Sequence, residues 1–272
     1  MGEIIAIVSQ KGGVGKTTTA VNLCASLSYL KHKVLLIDLD PQGHVATSFG
    51  KGKYDINGDF YSAMSNGANL SAVIHSTGVK GYDFIPSNVE SDEDDKKLYI
   101  APLREKRLKH VLTKLQAEYD YILIDCPPAL GNVTCNALVA STSIIVPIQC
   151  EFYALKSLGK LLKLTRTIKK LYNPDLEYKG FLLTMVDLRN NLSKRVSNKV
   201  RYTLKGLVFD TIIPRNIRLA EVPYYGKPAM LFDKRSKGAE SYLDLAREML
   251  NHHGTIDSDT SSNNGNFNHV DE

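Results

Sequence analysis

Short apolar runs rich in β-branched residues alternate with longer amphipathic segments along most of the chain. The runs have the length and composition of buried strands, and they predict strands at Ile4–Ser9, Val34–Asp38, Tyr121–Asp125, Ser143–Ile148, Phe181–Met185 and Thr211–Ile213. The helical period between them is clearest at Lys16–Leu30, Lys106–Gln116, Tyr153–Leu171, Leu192–Leu204 and Gly238–Leu250. Continuous apolar strands alternating with helices predict an α/β fold, a single three-layer domain whose mainly parallel, twisted sheet is flanked by helices.

The alternation ends near residue 250. Residues 251–272 are rich in Ser, Asn, Asp and Gly and contain almost no large apolar side chain. Such a composition cannot bury enough apolar surface to offset the entropy of ordering. We therefore predict one folded domain over 1–250 and a disordered, polar and acidic tail over 251–272. Inside the domain, the acidic run Glu90–Asp95 is expected to form a solvated loop or helix start.

Composition and cysteine spacing predict a cytoplasmic protein. No apolar run approaches the roughly 18–20 residues of a membrane span, and Met1–Val8 lacks the basic start and cleavage site of a signal peptide. Cys24, Cys126, Cys135 and Cys150 are scattered without a CxxC pair. This spacing is typical of reduced thiols and gives little support to a zinc or iron–sulfur site.

Charge favours a polyanionic partner. The chain has 34 basic and 29 acidic residues, and four of the acidic ones lie in the tail. Residues 1–250 therefore carry 34 basic against 25 acidic groups, a formal net charge of +9. A basic body of this kind suits nucleic acid or anionic lipid, and ordinary solubilising charge is the alternative.

A glycine-rich turn joins the first predicted strand to the first predicted helix. It consists of Lys11, Gly12, Gly13, Val14, Gly15, Lys16, Thr17 and Thr18. Glycines let backbone N–H groups point inward at phosphate oxygens, and the helix N-terminus adds a partial positive charge. We expect Lys16 to neutralise β- and γ-phosphate charge, Thr17 to ligate Mg²⁺ and Thr18 to contact the α-phosphate side. A turn with incidental lysines is disfavoured because strand, turn, Gly-Lys-Thr and helix coincide.

The turn departs from the strict G-x-x-x-x-G-K-[ST] template. Gln10 stands where the template has its first glycine, and a second lysine, Lys11, follows it. Because Lys11 precedes the cradle, its loop can aim the side chain outward. In a face-to-face dimer it could reach the γ-phosphate of the other subunit, as an arginine finger does. The residues leave open the alternative that Lys11 contacts only its own phosphates.

Two further strands deliver carboxylates to the sheet edge where ligands bind. Asp38 ends one strand and Asp40 follows it, and a spacing of two places both side chains on one side. We assign Asp40 to the attacking water and Asp38 to a supporting place in the outer shell of the metal. The strand Tyr121–Asp125 has the pattern of a Walker B strand, with Asp125 near Mg²⁺. Together these residues favour hydrolysis of a phosphoanhydride.

The chain resembles the ParA/Soj-type partition ATPases of the deviant Walker A (MinD/ParA) class over about residues 1–250. The shared motifs are Gln10–Thr19, Asp38–Gly43, Tyr119–Pro128, Asn136–Leu138, Val146–Leu155, Leu182–Met185, Ile213–Leu219, Gly226–Pro228 and Lys237–Tyr242. The acidic run and the stretch Val186–Asn191 depart from the usual pattern. Neither departure touches the nucleotide motifs.

The resemblance implies a P-loop NTPase that hydrolyses ATP with Mg²⁺ as cofactor. It also implies an ATP-sandwich homodimer that binds DNA non-specifically on the nucleoid, and a ParB-like centromere-binding partner that stimulates hydrolysis. Lys11 matches the lysine that acts across the dimer in that family, and Asp40 matches the carboxylate needed for hydrolysis. Pro214 and Asn216 match positions that hold the adenine.

Basic residues supply a candidate DNA surface. At roughly 100° per residue, one arc of about 120° on the predicted helix Tyr153–Leu171 holds Lys156, Lys160, Lys163, Arg166 and Lys170. Arg189 and Arg218 occupy positions that resemble basic DNA contacts in the family. A recognition-helix or zinc-finger spacing is missing from the sequence, so non-specific phosphate contact is favoured. A merely solvated helix face is the alternative.

Two other functions stay open. A MinD-like membrane-surface positioning ATPase would share the cradle but end in a basic amphipathic helix, whereas residues 251–272 are polar and acidic. A biosynthetic enzyme or an electron-transfer reductase on the same fold would need a further substrate site, or cysteines placed to share a cluster. The sequence has no recognisable pattern for either.

Overall fold

The computed structural model describes residues 1–52, 55–65, 69–87, 105–151 and 154–251. The side chains of residues 65, 105–107, 156 and 157 lie outside that description. The acidic run 90–95, Tyr153 and the tail from residue 252 also lie outside it. The predictions made for these segments stay predictions.

The described strands form one sheet. They are β1 (Glu3–Ile7), β2 (Val34–Asp38), β3 (His75–Val79), β4 (Tyr82–Ile85), β5 (Tyr121–Asp125), β6 (Ser143–Gln149) and β7 (Glu177–Thr184). Their order is β3-β4-β2-β5-β1-β6-β7, and each neighbouring pair is parallel except β3 with β4. The mainly parallel sheet predicted from the sequence is confirmed.

Helices cover the sheet and form much of the chain between its strands. They are α1 (Lys16–Tyr29), α2 (His44–Thr47), α3 (Phe60–Ser65), α4 (Glu105–Leu115), α5 (Asn132–Ala140), α6 (Ala154–Leu171), α7 (Asn191–Leu204), α8 (Ile217–Ala220), α9 (Val222–Tyr225), α10 (Ala229–Phe232) and α11 (Lys237–Asn251). Leu70–Val73 and Lys205–Leu207 are 3₁₀ turns. Of the helices in the described ranges, none combines the length and the apolar character needed to cross a bilayer.

Both faces of the sheet are buried, as the continuous apolar runs predict. Along β1, Ile4 and Ala6 pack on one side with residues of α4, α5 and α6. Ile5 and Ile7 pack on the other side with residues of α1 and α11. The three-layer arrangement predicted from the sequence is therefore confirmed, and it leaves the two ends of the sheet as the places where polar groups gather.

One predicted strand is wrong. The segment Thr211–Ile213 runs beside β7 without joining the sheet as a strand. Ile213 N–H donates to Leu183 O at 2.9 Å, and Pro214 makes an isolated bridge with Val186. Phe209 and Arg215 also donate backbone hydrogen bonds along this side, to Phe181 O at 3.0 Å and to Val186 O at 3.2 Å, so the contact continues past the proline as isolated bridges rather than as a ladder. The hairpin β3–β4 and the helix α5 were not anticipated.

Candidate functional site

The nucleotide motifs meet at the carboxyl edge of the sheet. β5 lies between β1 and β2, and its last residue, Asp125, is in register with Ile7 and with Asp38. The glycine-rich turn leaves β1 at the same edge. The topology thus brings together the turn and the carboxylates that the sequence singled out, at the place where ligands bind in open parallel sheets.

The backbone of the turn has the geometry of a phosphate cradle. Gly13 and Gly15 have φ angles of +75° and +90°, in the left-handed region that favours glycine. A Cβ built on Gly12 or Gly13 would meet no atom within 4 Å, so there is open space beside the turn. Gly15 O accepts the N–H of Thr19 at 2.8 Å, and α1 begins directly after the turn. An open glycine backbone before a helix N-terminus suits a phosphate.

Thr17 and Asp125 form the polar centre of the site. Thr17 Oγ1 donates a hydrogen bond of 2.6 Å to Asp125 Oδ2. The other carboxylate oxygen, Oδ1, is buried, and no hydrogen-bond partner for it is found within the described residues. A buried oxygen of this kind calls for a cation or an ordered water. The hydroxyl and the carboxylate therefore fit Mg²⁺, which prefers oxygen ligands and keeps several waters.

Lys16 supplies positive charge beside this centre. Lys16 is the first residue of α1, and the residue is only 7% exposed. Burial raises the pKa of Asp125 to about 7; the hydrogen bond from Thr17 and the charge of Lys16 act against the rise, and Asp40 adds to it. A cation bound beside it would favour the ionised form.

Asp38 holds the loop that follows β2. It is fully buried. Its Oδ1 accepts the N–H of Asp40 at 2.9 Å, and its Oδ2 accepts the N–H of Val45 at 3.2 Å. Burial, then the charge of Asp125, raises the pKa of Asp38 well above its ordinary value, against the effect of the two backbone hydrogen bonds. Both oxygens thus hold the loop, and the place of Asp38 in the outer shell of the metal stays a prediction.

Asp40 lies beyond the strand rather than in it. Because β2 ends at Asp38, strand alternation does not set the direction of the Asp40 side chain. Asp40 Oδ1 accepts the N–H of Gln42 at 3.1 Å, and Asp40 O accepts the N–H of Gly43 at 3.0 Å. A Cβ built on Gly43 would lie 2.8 Å from Ser87 O. Asp40 is therefore half-buried in a tight turn that is packed against the segment after β4.

The Lys11 side chain is held by residues at the end of β6. Its ammonium forms an ion pair with Glu151 and donates to Gln149 Oε1 at 3.3 Å. Gln149 Nε2 donates to Glu151 Oε1 at 2.6 Å, so the two acceptors are themselves joined. The Lys11 side chain is 40% exposed. Sequence reasoning did not identify these partners, because they lie about 140 residues away, at the end of β6.

The predicted adenine contacts lie on a segment that crosses the end of β7. Pro214 pairs with Val186, and Asn216 Oδ1 accepts the N–H of Arg218 at 3.0 Å to cap α8. Met185, just before Val186, has a φ of +52°, and its Cε is 3.9 Å from a Cβ built on Gly15. A left-handed conformation in a residue other than glycine is typical of functional sites. Met185 is therefore an additional candidate beside the turn, and its backbone gave no sequence signal.

The predicted DNA contacts are distributed over separate elements. Lys160 is exposed on α6; Lys156 lies on the same helix, with its side chain outside the described set. Arg189 follows β7, is 93% exposed and pairs with Asp187 at 3.2 Å. Arg218 lies on α8 and is bonded to two carboxylates, those of Glu221 and Asp233.

Metal ligation by a side-chain cluster alone is not supported. Within the described ranges, no group of three or more His, Cys, Asp or Glu side chains is placed to hold a metal ion. Cys126 follows Asp125 and is fully buried, and burial raises the pKa of its thiol well above the ordinary value.

One family model and several known proteins are similar to this chain. A family model described as "AAA domain" matches residues 2–178. The chain is 47% identical to "Sporulation initiation inhibitor protein Soj" of Bacillus subtilis, over 92% of this chain and 98% of that protein. It is 45% identical to "Chromosome partitioning protein ParA" of Myxococcus xanthus, over 92% of this chain and 88% of that protein.

Two solved structures share the fold of this chain. A structure of cobyrinic acid a,c-diamide synthase from Mycobacterium smegmatis with a bound ATP analog and magnesium aligns with a TM-score of 0.79 and 33% identity, covering 93% of this chain and 96% of that one. The septum site-determining protein MinD from Pyrococcus horikoshii, complexed with Mg-ADP, aligns with a TM-score of 0.77 and 27% identity, covering 93% and 98%.

Proposed function

Since the chain belongs to the ParA/Soj family of partition ATPases, we propose that it uses ATP to time its attachment to DNA. ATP joins two copies face to face, the dimer binds DNA on the nucleoid without sequence preference, and hydrolysis releases it. A ParB-like centromere-binding partner stimulates hydrolysis, and the cycle serves the segregation of a chromosome or plasmid. The observation that carries the proposal is the Lys11 side chain, which is 40% exposed and whose ammonium pairs with Glu151.

The protein is a Mg²⁺-dependent P-loop ATPase. In the proposed site, the turn from Lys11 to Thr18 holds the phosphates, with Lys16 as their main counter-charge, and Thr17 and Asp125 hold Mg²⁺. Bound Mg²⁺ supplies neutralisation of the β- and γ-phosphate oxygens. Asp40 positions the water that attacks the γ-phosphorus; the bond to the β-phosphate oxygen breaks, and ADP and phosphate leave.

Lys11 is the residue that turns nucleotide binding into dimerisation. To reach the γ-phosphate of a second subunit, its ammonium has to leave Glu151 and Gln149, which hold it in the single chain. A phosphate carries more negative charge than one carboxylate and offers several acceptors at once, so the exchange favours the dimer when ATP is present. After hydrolysis the γ-phosphate is lost, and Glu151 regains the lysine.

The Lys11→Ala variant should bind ATP within about threefold of wild type but fail to dimerise. The charge it removes acts mainly across the subunit interface, where a desolvated charge pair contributes several kcal/mol. Sedimentation velocity with Mg²⁺ and a non-hydrolysable ATP analogue measures the dimer. Lys80→Ala is the matched control. Lys80 is also an exposed lysine, and it lies in the β3–β4 turn, away from the carboxyl ends of the parallel strands. An intact ATP-dependent dimer of Lys11→Ala would show that Lys11 does not act across the subunit interface.

The helix α7 supports the DNA-binding part of the proposal. Its sequence contains no acidic residue, and Lys194, Arg195 and Lys199 are exposed. These side chains and Tyr202, which is 83% exposed, lie within one arc of about 140°. Arg189 precedes the first turn of the same helix. A face of this kind suits contacts with successive phosphates, which contribute affinity without reading sequence.

DNA co-sedimentation with ATP, with ADP and without nucleotide, over a series of salt concentrations, tests the proposed function. We expect binding that is selective for ATP and that falls steeply with salt. Arg189→Ala should reduce the slope of log affinity against log salt by about one, the share of a single phosphate contact. Lys80→Ala should leave the slope unchanged. Equal binding in all three nucleotide states would contradict the timing function.

Two alternatives are separated by further arms of the same experiment. The likeness to the MinD structure favours anionic vesicles as a second surface, so vesicles replace DNA in one arm. ATP-selective binding to vesicles but not to DNA would favour the membrane function. The Mycobacterium smegmatis structure suggests a biosynthetic enzyme, but identity to Soj is higher, at 47% against 33%. ATP turnover that depends on a small carboxylic acid substrate would favour the biosynthetic function.

A further inference from the structure

Arg218 is held by two carboxylates from different elements. Its Nε donates to Asp233 Oδ2 at 3.0 Å, and its Nη1 donates to Glu221 Oε2 at 2.9 Å. Asp233 lies between α10 and α11, whereas Glu221 follows α8 directly. The trio therefore contains one more negative than positive charge. A phosphate that approaches Arg218 in this arrangement meets two acidic groups before it can use the guanidinium.

Carboxylate and phosphate oxygens compete for the same donors. A guanidinium recognises either anion through paired N–H groups in a fixed fork, and the two carboxylates already use donors at both ends of that fork. Arg189 differs in this respect: it is almost fully exposed and faces one carboxylate from its own loop. Of the two arginines predicted to contact DNA, Arg218 is thus the one whose availability is restricted.

The main chain on both sides of this trio is packed tightly. Leu219 is buried, and a Cβ built on Gly238 would lie 2.5 Å from Leu219 Cγ, so α8 is fixed tightly on the start of α11. Asp233 is fixed as well, because its N–H donates to Ala229 O and its carbonyl accepts from Ser236. Release is therefore a side-chain event, in which Arg218 exchanges its carboxylate partners for phosphate.

We propose that Glu221 and Asp233 form a clamp that keeps Arg218 from DNA in the nucleotide-free chain, and that ATP binding opens it. This inference rests on the proposed function, since it describes the regulation of a DNA contact. The link to nucleotide is Asn216, a predicted adenine contact, whose Oδ1 accepts the N–H of Arg218 itself at 3.0 Å. A base that engages Asn216 takes this acceptor from the Arg218 N–H, so nucleotide binding acts directly on the residue whose side chain is clamped.

Neutralising the clamp should give DNA binding without nucleotide. Glu221→Gln and Asp233→Asn keep the shape and an acceptor oxygen but remove one negative charge each. Without nucleotide, each variant should bind duplex DNA about three- to fivefold more tightly than wild type, the effect of one partly exposed charge. With ATP, all proteins should bind alike, so the ratio of ATP-bound to nucleotide-free affinity shrinks by the same factor. Fluorescence anisotropy of a labelled duplex at fixed salt measures both affinities.

Two controls make the result specific to Arg218. Asp244→Asn removes one carboxylate from an exposed pair with Arg247 on α11, so it makes the same change in net charge. It should leave the ratio unchanged. Adding Arg218→Ala to Asp233→Asn should abolish the gain. A gain equal to that of Asp244→Asn, or one that survives the loss of Arg218, would overturn the clamp.

The wild-type protein in the same assay separates the two levels of inference. ATP-selective binding by wild type, with no gain in either clamp variant, would overturn the clamp and leave the proposed function standing. Wild-type protein that binds DNA in no nucleotide state would overturn both. A gain in Glu221→Gln and in Asp233→Asn that depends on Arg218 supports the clamp.

Discussion

Replacing Lys16 with alanine should weaken ATP binding by at least about 100-fold, a loss of about 2.7 kcal/mol. Lys16 is almost fully buried at the first residue of α1, and its charge already acts on Asp125. At such a position an ammonium makes short, charge-assisted contacts with phosphate oxygens. Alanine would leave those oxygens facing the Asp125 carboxylate without their counter-charge, so the backbone cradle alone would have to hold the nucleotide.

Isothermal titration with Mg-ATP measures the loss, and thermal unfolding gives a second readout. At a ligand concentration of 100 times Kd, ATP should stabilise wild type by about 2.7 kcal/mol, and the same concentration should leave Lys16→Ala almost unaffected. Lys80→Ala controls for the loss of one lysine. A folded Lys16→Ala protein that binds ATP within threefold of wild type would show that the phosphates are held elsewhere.

The parts of the fold that sequence predicted are those with strong local signals. β2 and β5 were predicted at their observed bounds because each is a short apolar run that is closed by an aspartate, and all five residues of each are buried. The turn before α1 was recognised because its glycines and Lys16 have a fixed spacing. The register that joins Asp38 to Asp125 follows from the topology, since parallel strands of a doubly wound sheet deliver their carboxyl ends to one edge.

Elements with weak local signals were missed or misread. β3 has the sequence HSTGV, with a glycine and little apolar alternation, so it is defined by its pairing with β4 rather than by its own pattern. Thr211–Ile213 has strand-like composition, but the segment meets β7 only through isolated bridges and separate hydrogen bonds. In both segments tertiary contacts, rather than residue preference, determine the conformation.

The finer geometry of the site depends on contacts between distant residues. The partners of Lys11 lie at and just after the end of β6, and those of Arg218 lie beyond the adenine segment. Sequence could identify each lysine or arginine as a candidate, but it could not indicate that intrachain carboxylates hold them. These contacts matter for function, because a cation that is already paired has to exchange partners before it acts on phosphate.

Asp40 illustrates the same limit within one motif. A spacing of two predicted that Asp38 and Asp40 share one side of a strand, yet β2 ends at Asp38. Asp38 is turned into the loop and holds the N–H groups of Asp40 and Val45. Asp40 is left half-buried in the following turn. The different surroundings of the two aspartates therefore come from the end of the strand.

Replacing Asp40 should stop hydrolysis while leaving ATP binding intact. A carboxylate that orients or polarises the attacking water contributes on the order of 100-fold or more to the rate, so kcat should fall by at least that factor in Asp40→Ala. The affinity for ATP should stay within about threefold of wild type, because Lys16 and the turn hold the phosphates. Phosphate release under saturating Mg-ATP measures the first quantity, and titration measures the second.

The Asp40→Asn variant separates chemistry from loop geometry. An asparagine can still accept the N–H of Gln42, which Asp40 Oδ1 accepts at 3.1 Å, but it lacks the negative charge that acts on water. If the carboxylate acts on the water, both variants are slow to a similar degree. If Asp40→Asn hydrolyses ATP at nearly the wild-type rate and Asp40→Ala does not, Asp40 acts only by holding its turn.

Both variants should also stay on DNA after ATP is removed. If hydrolysis is the step that separates the subunits, a dimer that cannot hydrolyse retains its γ-phosphates and therefore the charges that Lys11 contacts across the interface. When ATP is removed and excess unlabelled DNA is added, wild-type protein should leave a labelled duplex. Asp40→Ala should remain bound for at least about tenfold longer. Equal release rates in the two proteins, with hydrolysis confirmed to be lost, would show that nucleotide dissociation rather than hydrolysis times the detachment.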